Sequence, residues 1–120
     1  HRSAALAAIR ETTTIRRELA ERDPATHAPA LAPCLHRLAK RLAEAGHRGE
    51  ALETAREAVD LYRSLARRHP EDFSQGLSDA LGTYASVLEW AGREADAARI
   101  RQESEAVTGQ MALEASIGRL

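Results

Sequence analysis

The 120-residue chain carries 17 basic and 18 acidic side chains, for a formal charge of −1, so no strong field draws it to nucleic acid or to an anionic membrane. Its apolar runs fall far short of the roughly 20 residues of a membrane-spanning helix, and its one cysteine, Cys34, has no internal disulfide partner and suits a reducing, cytoplasmic setting. Ala, Leu, Arg and Glu dominate, all good helix formers, while aromatic residues make up only 3%.

Five amphipathic segments follow from the spacing of apolar residues. The first is expected over about residues 3–22, with Leu6, Ile9, Thr13, Ile15 and Leu19 near a helical period. Pro24 ends it, because its ring disfavours helix at Asp23. The second is expected from the high 20s to Ala45, with Leu31, Leu35, Leu38 and Leu42 on one face and Gly46 as a left-handed C-cap. Pro29 fits a first turn. Pro33 is then too deep, so this helix either begins near Pro33 or kinks there. The third covers about 48–69, with Leu52, Ala55, Val59, Tyr62 and Leu65 or Ala66 facing inward. The fourth starts near Asp72 as N-cap, carries Phe73, Leu77, Leu81, Tyr84 and Leu88, and stops at Gly92.

The fifth segment begins near Glu94 and is expected to run through Gly109 to about residue 115. An interior Gly costs roughly 1 kcal/mol, less than burial of Met111 and Leu113 should return at about 1.5–3 kcal/mol each.

A single offset relates these segments. Pro24 and Pro70 lie 46 residues apart. The same shift superposes His1-Arg2 on His47-Arg48, Ala5-Leu6 on Ala51-Leu52, Leu35 on Leu81, Leu42 on Leu88, and Gly46 on Gly92. It also places Val107 on Leu61 and Met111 on Leu65. A fixed period in this range marks stacked supersecondary units. Because His1-Arg2 sits in mid-pattern, the chain is expected to be a fragment of a longer array: a partial repeat over 1–24, a full repeat over 25–70, and a full repeat with a terminal helix over 71–120.

Leu35, Leu38, Ala39, Leu42, Gly46, Ala51, Ala55 and Ala58, repeated as Leu81, Tyr84, Ala85, Leu88, Gly92 and Ala97, carry a resemblance to the tetratricopeptide repeat in a lengthened form. The period exceeds the usual 34 residues of that family and is similar to the long repeats of kinesin light chain and of bacterial multidomain signalling proteins. The resemblance implies an all-α, right-handed helical-hairpin solenoid of about five helices in one domain. It also implies that the first helix of each repeat lines a concave face whose non-core positions touch a partner. Carried over position by position, these are His36, Lys40 and Glu44, with Pro33 and Ala43, on the second segment. On the fourth they are Asp79, Ser86, Glu89 and Trp90, with Gly82. Lys40 stands where chaperone-binding members carry a polar residue that helps hold a peptide carboxylate. The partner positions here are Ser86 and Glu89 rather than a second basic or amide group. Trp90 has two readings, an anchor for a partner or a cover over the core edge before Gly92.

Other chemistries find little footing. Cys34 and His36, two apart on a helix, point to different faces, and no second Cys/His pair completes a tetrahedral metal set. Cys34 reads as a small buried hydrophobe, and His1 and His47 as turn residues. The basic clusters Arg37–Arg41 and Arg67-Arg68 are interleaved with Glu44, Glu50, Glu53, Glu57, Glu71 and Asp72, the pattern of a solvated ion-paired face rather than a one-signed nucleic-acid stripe. No Gly-rich phosphate loop or nucleophile elbow is present, so the expectation is a non-enzymatic module without cofactor or metal. The function expected is a protein- or peptide-binding scaffold within a larger bacterial protein. The alternative is self-association or autoinhibition through exposed solenoid ends, the leading helix and Met111, Leu113, Ile117 and Leu120, in a signalling protein such as a nucleotide-switch ATPase.

Overall fold

A computed structural model describes residues 2–120; His1, the repeat partner of His47, lies outside the described residues. The elements are α1 (Arg2–Arg22), α2 (Pro24–Glu44), α3 (Arg48–Arg68), α4 (Pro70–Trp90) and α5 (Glu94–Gly118), with no strand among the described residues. Among the described residues, no helix is long and apolar enough to cross a membrane.

Two kinds of joint alternate along the chain. α1 passes to α2 through Asp23 alone, and α3 to α4 through His69 alone. Pro24 and Pro70 therefore open helices rather than merely closing them. At the first helical position the missing N–H has no intrahelical partner to lose. Asp23 caps α2 by accepting from the Thr26 amide at 3.4 Å. This moves the start of α2 from the high 20s back to Pro24, and that of α4 from Asp72 to Pro70, with His69 at the cap position and Asp72 in the first turn. The other joints are Gly turns. Gly46 and Gly92 take φ of 83° and 80°, a region that side chains disfavour. The His47 amide reaches back to the Leu42 carbonyl at 2.9 Å and that of Arg93 to Leu88 at 2.8 Å, each closing a Schellman motif.

Pro29 and Pro33 both lie inside α2, which neither begins at Pro33 nor breaks there. An interior proline costs about 3 kcal/mol. The buried series Leu31, Leu35, Leu38 and Leu42 spans the site, and each such side chain returns about 1.5–3 kcal/mol, which keeps the helix continuous. α5 runs through Gly109 to Gly118. Met111 is half-buried, but Leu113 is 55% exposed rather than buried, so the last turns of α5 rest on helix propensity more than on packing.

Each helix packs on its chain neighbours, and α2 also meets α4 directly. The result is two layers, α2 and α4 in one and α1, α3 and α5 in the other, with extents of 49 × 36 × 23 Å. Leucines of the first layer press on alanines of the second: Leu42 near Ala51, Leu35 near Ala58, and Leu88 near Ala97. The outer layer is tied differently. Arg10 and Arg17 of α1 form bidentate pairs with Glu50 and Glu57 of α3, the latter at 2.7 and 3.1 Å. Arg63 of α3 binds Glu103 of α5 at 2.8 Å. Arg17–Glu57 and Arg63–Glu103 are the same pair one repeat apart.

Among the glycines of the described residues, Gly76 is the one pressed upon by a neighbouring side chain. A Cβ there would overlap the Tyr62 ring at Cε1, and Tyr62 is buried among Val59, Leu77 and Leu81. Gly76→Ala should therefore lower stability by about 1–3 kcal/mol in urea unfolding, with partial recovery when Tyr62→Leu is added. An unchanged midpoint would show that the ring is free to move. A double-mutant cycle on Arg63→Ala and Glu103→Ala should give a coupling of about 0.2–1 kcal/mol that shrinks in high salt; a coupling indifferent to salt would contradict an ion pair in solvent.

Candidate functional site

The first layer leaves an open groove of about 910 Å³ between α2 and α4 that reaches the flank of α5. Helical spacing brings its walls together. His36 and Lys40 are four residues apart on α2, with Ala43 and Glu44 three and four residues beyond Lys40, and Asp79, Gly82, Ser86 and Trp90 recur every three or four residues on α4. Six of the seven side chains expected from the sequence line it: His36, Lys40, Glu44, Asp79, Ser86 and Trp90. Glu89 does not. It turns to the α4–α5 side, where its carboxylate accepts from Arg101 Nε at 2.7 Å. Pro33 lies outside the groove, beside His36 on the outer flank of α2.

Four lining residues were not anticipated: Thr83, Val87, Ser78 and Ser104. The repeat carries a signal for two of them. Ser78 and Ser104 stand where the first repeat has Ala32 and Ala58, both buried. In place of two buried methyl groups stands a hydroxyl contact, with the Ser78 and Ser104 Oγ atoms 3.2 Å apart, and Thr108 Oγ1 3.0 Å from Ser78 Oγ. Thr83 replaces Arg37 one repeat on and is uncovered only by seeing the groove.

His36 crosses the groove floor. Its Nε2 and the Thr83 Oγ1 share a hydrogen bond of 2.7 Å. Burial pushes the imidazole pKa below the ordinary 6.5, and the like charge of Lys40 pushes it further, against a smaller pull from Asp79. His36 is thus neutral near pH 7. A base beside a hydroxyl resembles half of a catalytic triad, yet the third member is engaged elsewhere: Asp79 accepts from Gln75 at 2.9 Å. The backbone amides beside this pair lie in mid-helix and are spent on the i−4 carbonyls. The pair works as a strut between α2 and α4.

Trp90 is 39% exposed. The Arg48 guanidinium sits 4.6 Å from the ring centroid, a cation–π contact that ties α4 to the start of α3 while the indole still lines the groove. Glu44 is held by Arg41 at 2.9 Å. The groove floor is therefore small and hydroxylic, its rim of mixed charge, and its end aromatic. Cys34 is buried, away from the groove. His69, Glu71 and Asp72 bring ligand atoms within 4.8 Å of one another in full solvent, where the two carboxylates favour the N-terminal end of α4.

The depressed His36 pKa sets a sign. Between the folded and unfolded values the unfolded chain binds the extra proton, so stability rises with pH there. It should fall as pH drops below about 6.5 and flatten below the folded value. Thermal melting of His36→Gln should lose that part of the slope; an identical acid profile would remove His36 as its source.

A scan against protein-family models matches none, and searches of curated proteins and of solved structures return no match.

Proposed function

We propose that the chain is a non-catalytic module that binds a protein or peptide segment in the α2–α4 groove, within a larger bacterial protein. The observation that carries this reading is the convergence of side chains from two successive repeats on one open concavity. The resemblance to tetratricopeptide repeats supports it, and in that reading the hairpins stack as a right-handed superhelix. The groove is preorganised: α2 and α4 are fixed by buried leucines and by the His36–Thr83 strut, so binding costs little ordering of the receptor. Half-exposed Trp90 supplies the large rigid contact that interface anchors share. Lys40, Glu44 and Asp79 at the rim would set the register of a partner rather than its affinity.

Trp90 is the one tryptophan of the chain, so its fluorescence reports the groove alone. Peptides selected from a random display library should shift that emission on titration. Trp90→Ala should weaken them at least about tenfold, near 1.4 kcal/mol, with little change in melting temperature. Glu89→Ala, which faces away from the groove, should bind as the parent does. Selected peptides that bind Trp90→Ala undiminished and leave the emission unchanged would place the interaction elsewhere.

A further inference from the structure

One face of α1 stands out against the repeat. Ala5, Ala8, Thr12, Ile15 and Leu19 follow one another at alternating spacings of three and four and form a single stripe. All five are exposed, Ile15 by 50% and Leu19 by 36%. One repeat on, the same register reads Ala51, Thr54, Ala58, Leu61 and Leu65 on α3, and none of these is exposed. There α2 covers them: Ala51 packs with Leu38 and Leu42, and Ala58 and Leu61 with Leu31 and Leu35. Two repeats on, the register falls on α5. Ala97 and Ile100 pack with Ala85 and Leu88 of α4, and Ser104 bonds Ser78. The same surface is thus covered twice by the preceding helix and left bare once.

The opposite end is built otherwise. Val59 and Tyr62 carry the contact of α3 with α4. Their counterparts on α5 are Glu105 and Thr108, both exposed. At this register the outer face of α5 lacks the apolar seat that α3 offers to α4, and the exposed Leu113, Ile117 and Leu120 lie farther on, toward the C-terminal end of the chain. Nor does a second copy offer a spare helix of the right kind, since α2 and α4 are each enclosed by two neighbours.

We propose that the α1 stripe is the docking site of one further helix of the α2 and α4 type, contributed by polypeptide N-terminal to His1. It would enter antiparallel through a glycine turn, and it would carry leucines at the spacing of Leu31, Leu35, Leu38 and Leu42. The small residues Ala5, Ala8 and Thr12 receive those leucines as Ala51 and Ala58 do, and Ile15 and Leu19 close over them.

The repeat supplies its own test. A second copy of Pro24–Gly46 fused ahead of His1 recreates the Gly46–His47 junction, and a parallel fusion of Pro70–Gly92, free of interior proline, guards against misfolding of the first. At least one fusion should raise the thermal midpoint by about 3 °C or more. Ile15→Asp and Leu19→Asp should then lower the midpoint of that fusion while leaving the parent chain within a degree or so of its own. Unchanged midpoints in both fusions, or equal effects of the two substitutions with and without the added helix, would overturn the proposal. So would a concentration-dependent dimer of the parent chain that Ile15→Asp abolishes, since the stripe would then belong to a second copy.

Discussion

Leucine pressed on alanine is the contact from which the rest of this structure follows. Leu35, Leu42, Leu81 and Leu88 are completely buried, as are Ala39, Ala51 and Ala85. The alanines let one helix approach another closely, and the leucines fill the space beside them, at interior packing density. The helices of the first layer are each enclosed on two sides, so their third side is set in place. That side is the groove. Its walls are held mainly from behind, with His36 bridging to Thr83 and Trp90 resting against Arg48, which leaves Lys40 exposed at the rim.

Much of this was legible in the residues. The 46-residue offset located five helices, the two Gly turns, and a final helix that ignores Gly109. The tetratricopeptide resemblance, carried over position by position, marks six of the groove residues on two helices. The errors have local causes. Pro24 and Pro70 were read as stops, although a proline that cannot continue one helix is well suited to start the next. Leu113 was expected in the core because helix phase was extended beyond the last neighbour able to cover it. The resemblance puts Glu89 on the partner-facing side by position alone; a carboxylate next to a reachable Arg101 follows the ion pair instead. Thr83 could not have been found, since its role depends on α2 lying opposite, at hydrogen-bonding distance from His36.

Departures from the repeat proved more informative than its agreements. Ser78 and Ser104 in place of Ala32 and Ala58 extend the groove onto α5 with hydroxyl groups. Glu105 in place of Val59 turns an apolar seat into a solvated surface. Thr13, at the place of Val59 on α1, is buried, and its hydroxyl is satisfied by the Ile9 carbonyl at 2.7 Å. Identical backbone units thus differ in what their faces accept.

The two layers are also coupled by unlike means, and this bears on the shape of the groove. α2 and α4 touch through close-packed side chains, whereas α1, α3 and α5 are linked across the outer face by arginine–carboxylate arms. Close-packed contacts resist both compression and extension; a solvated ion pair tolerates small changes in length at little cost. Bending the stack about its inner layer thus strains only the soft outer rungs. The groove, set between the close-packed helices, keeps its width as ionic strength changes, and only the outer arms weaken when dissolved ions screen them.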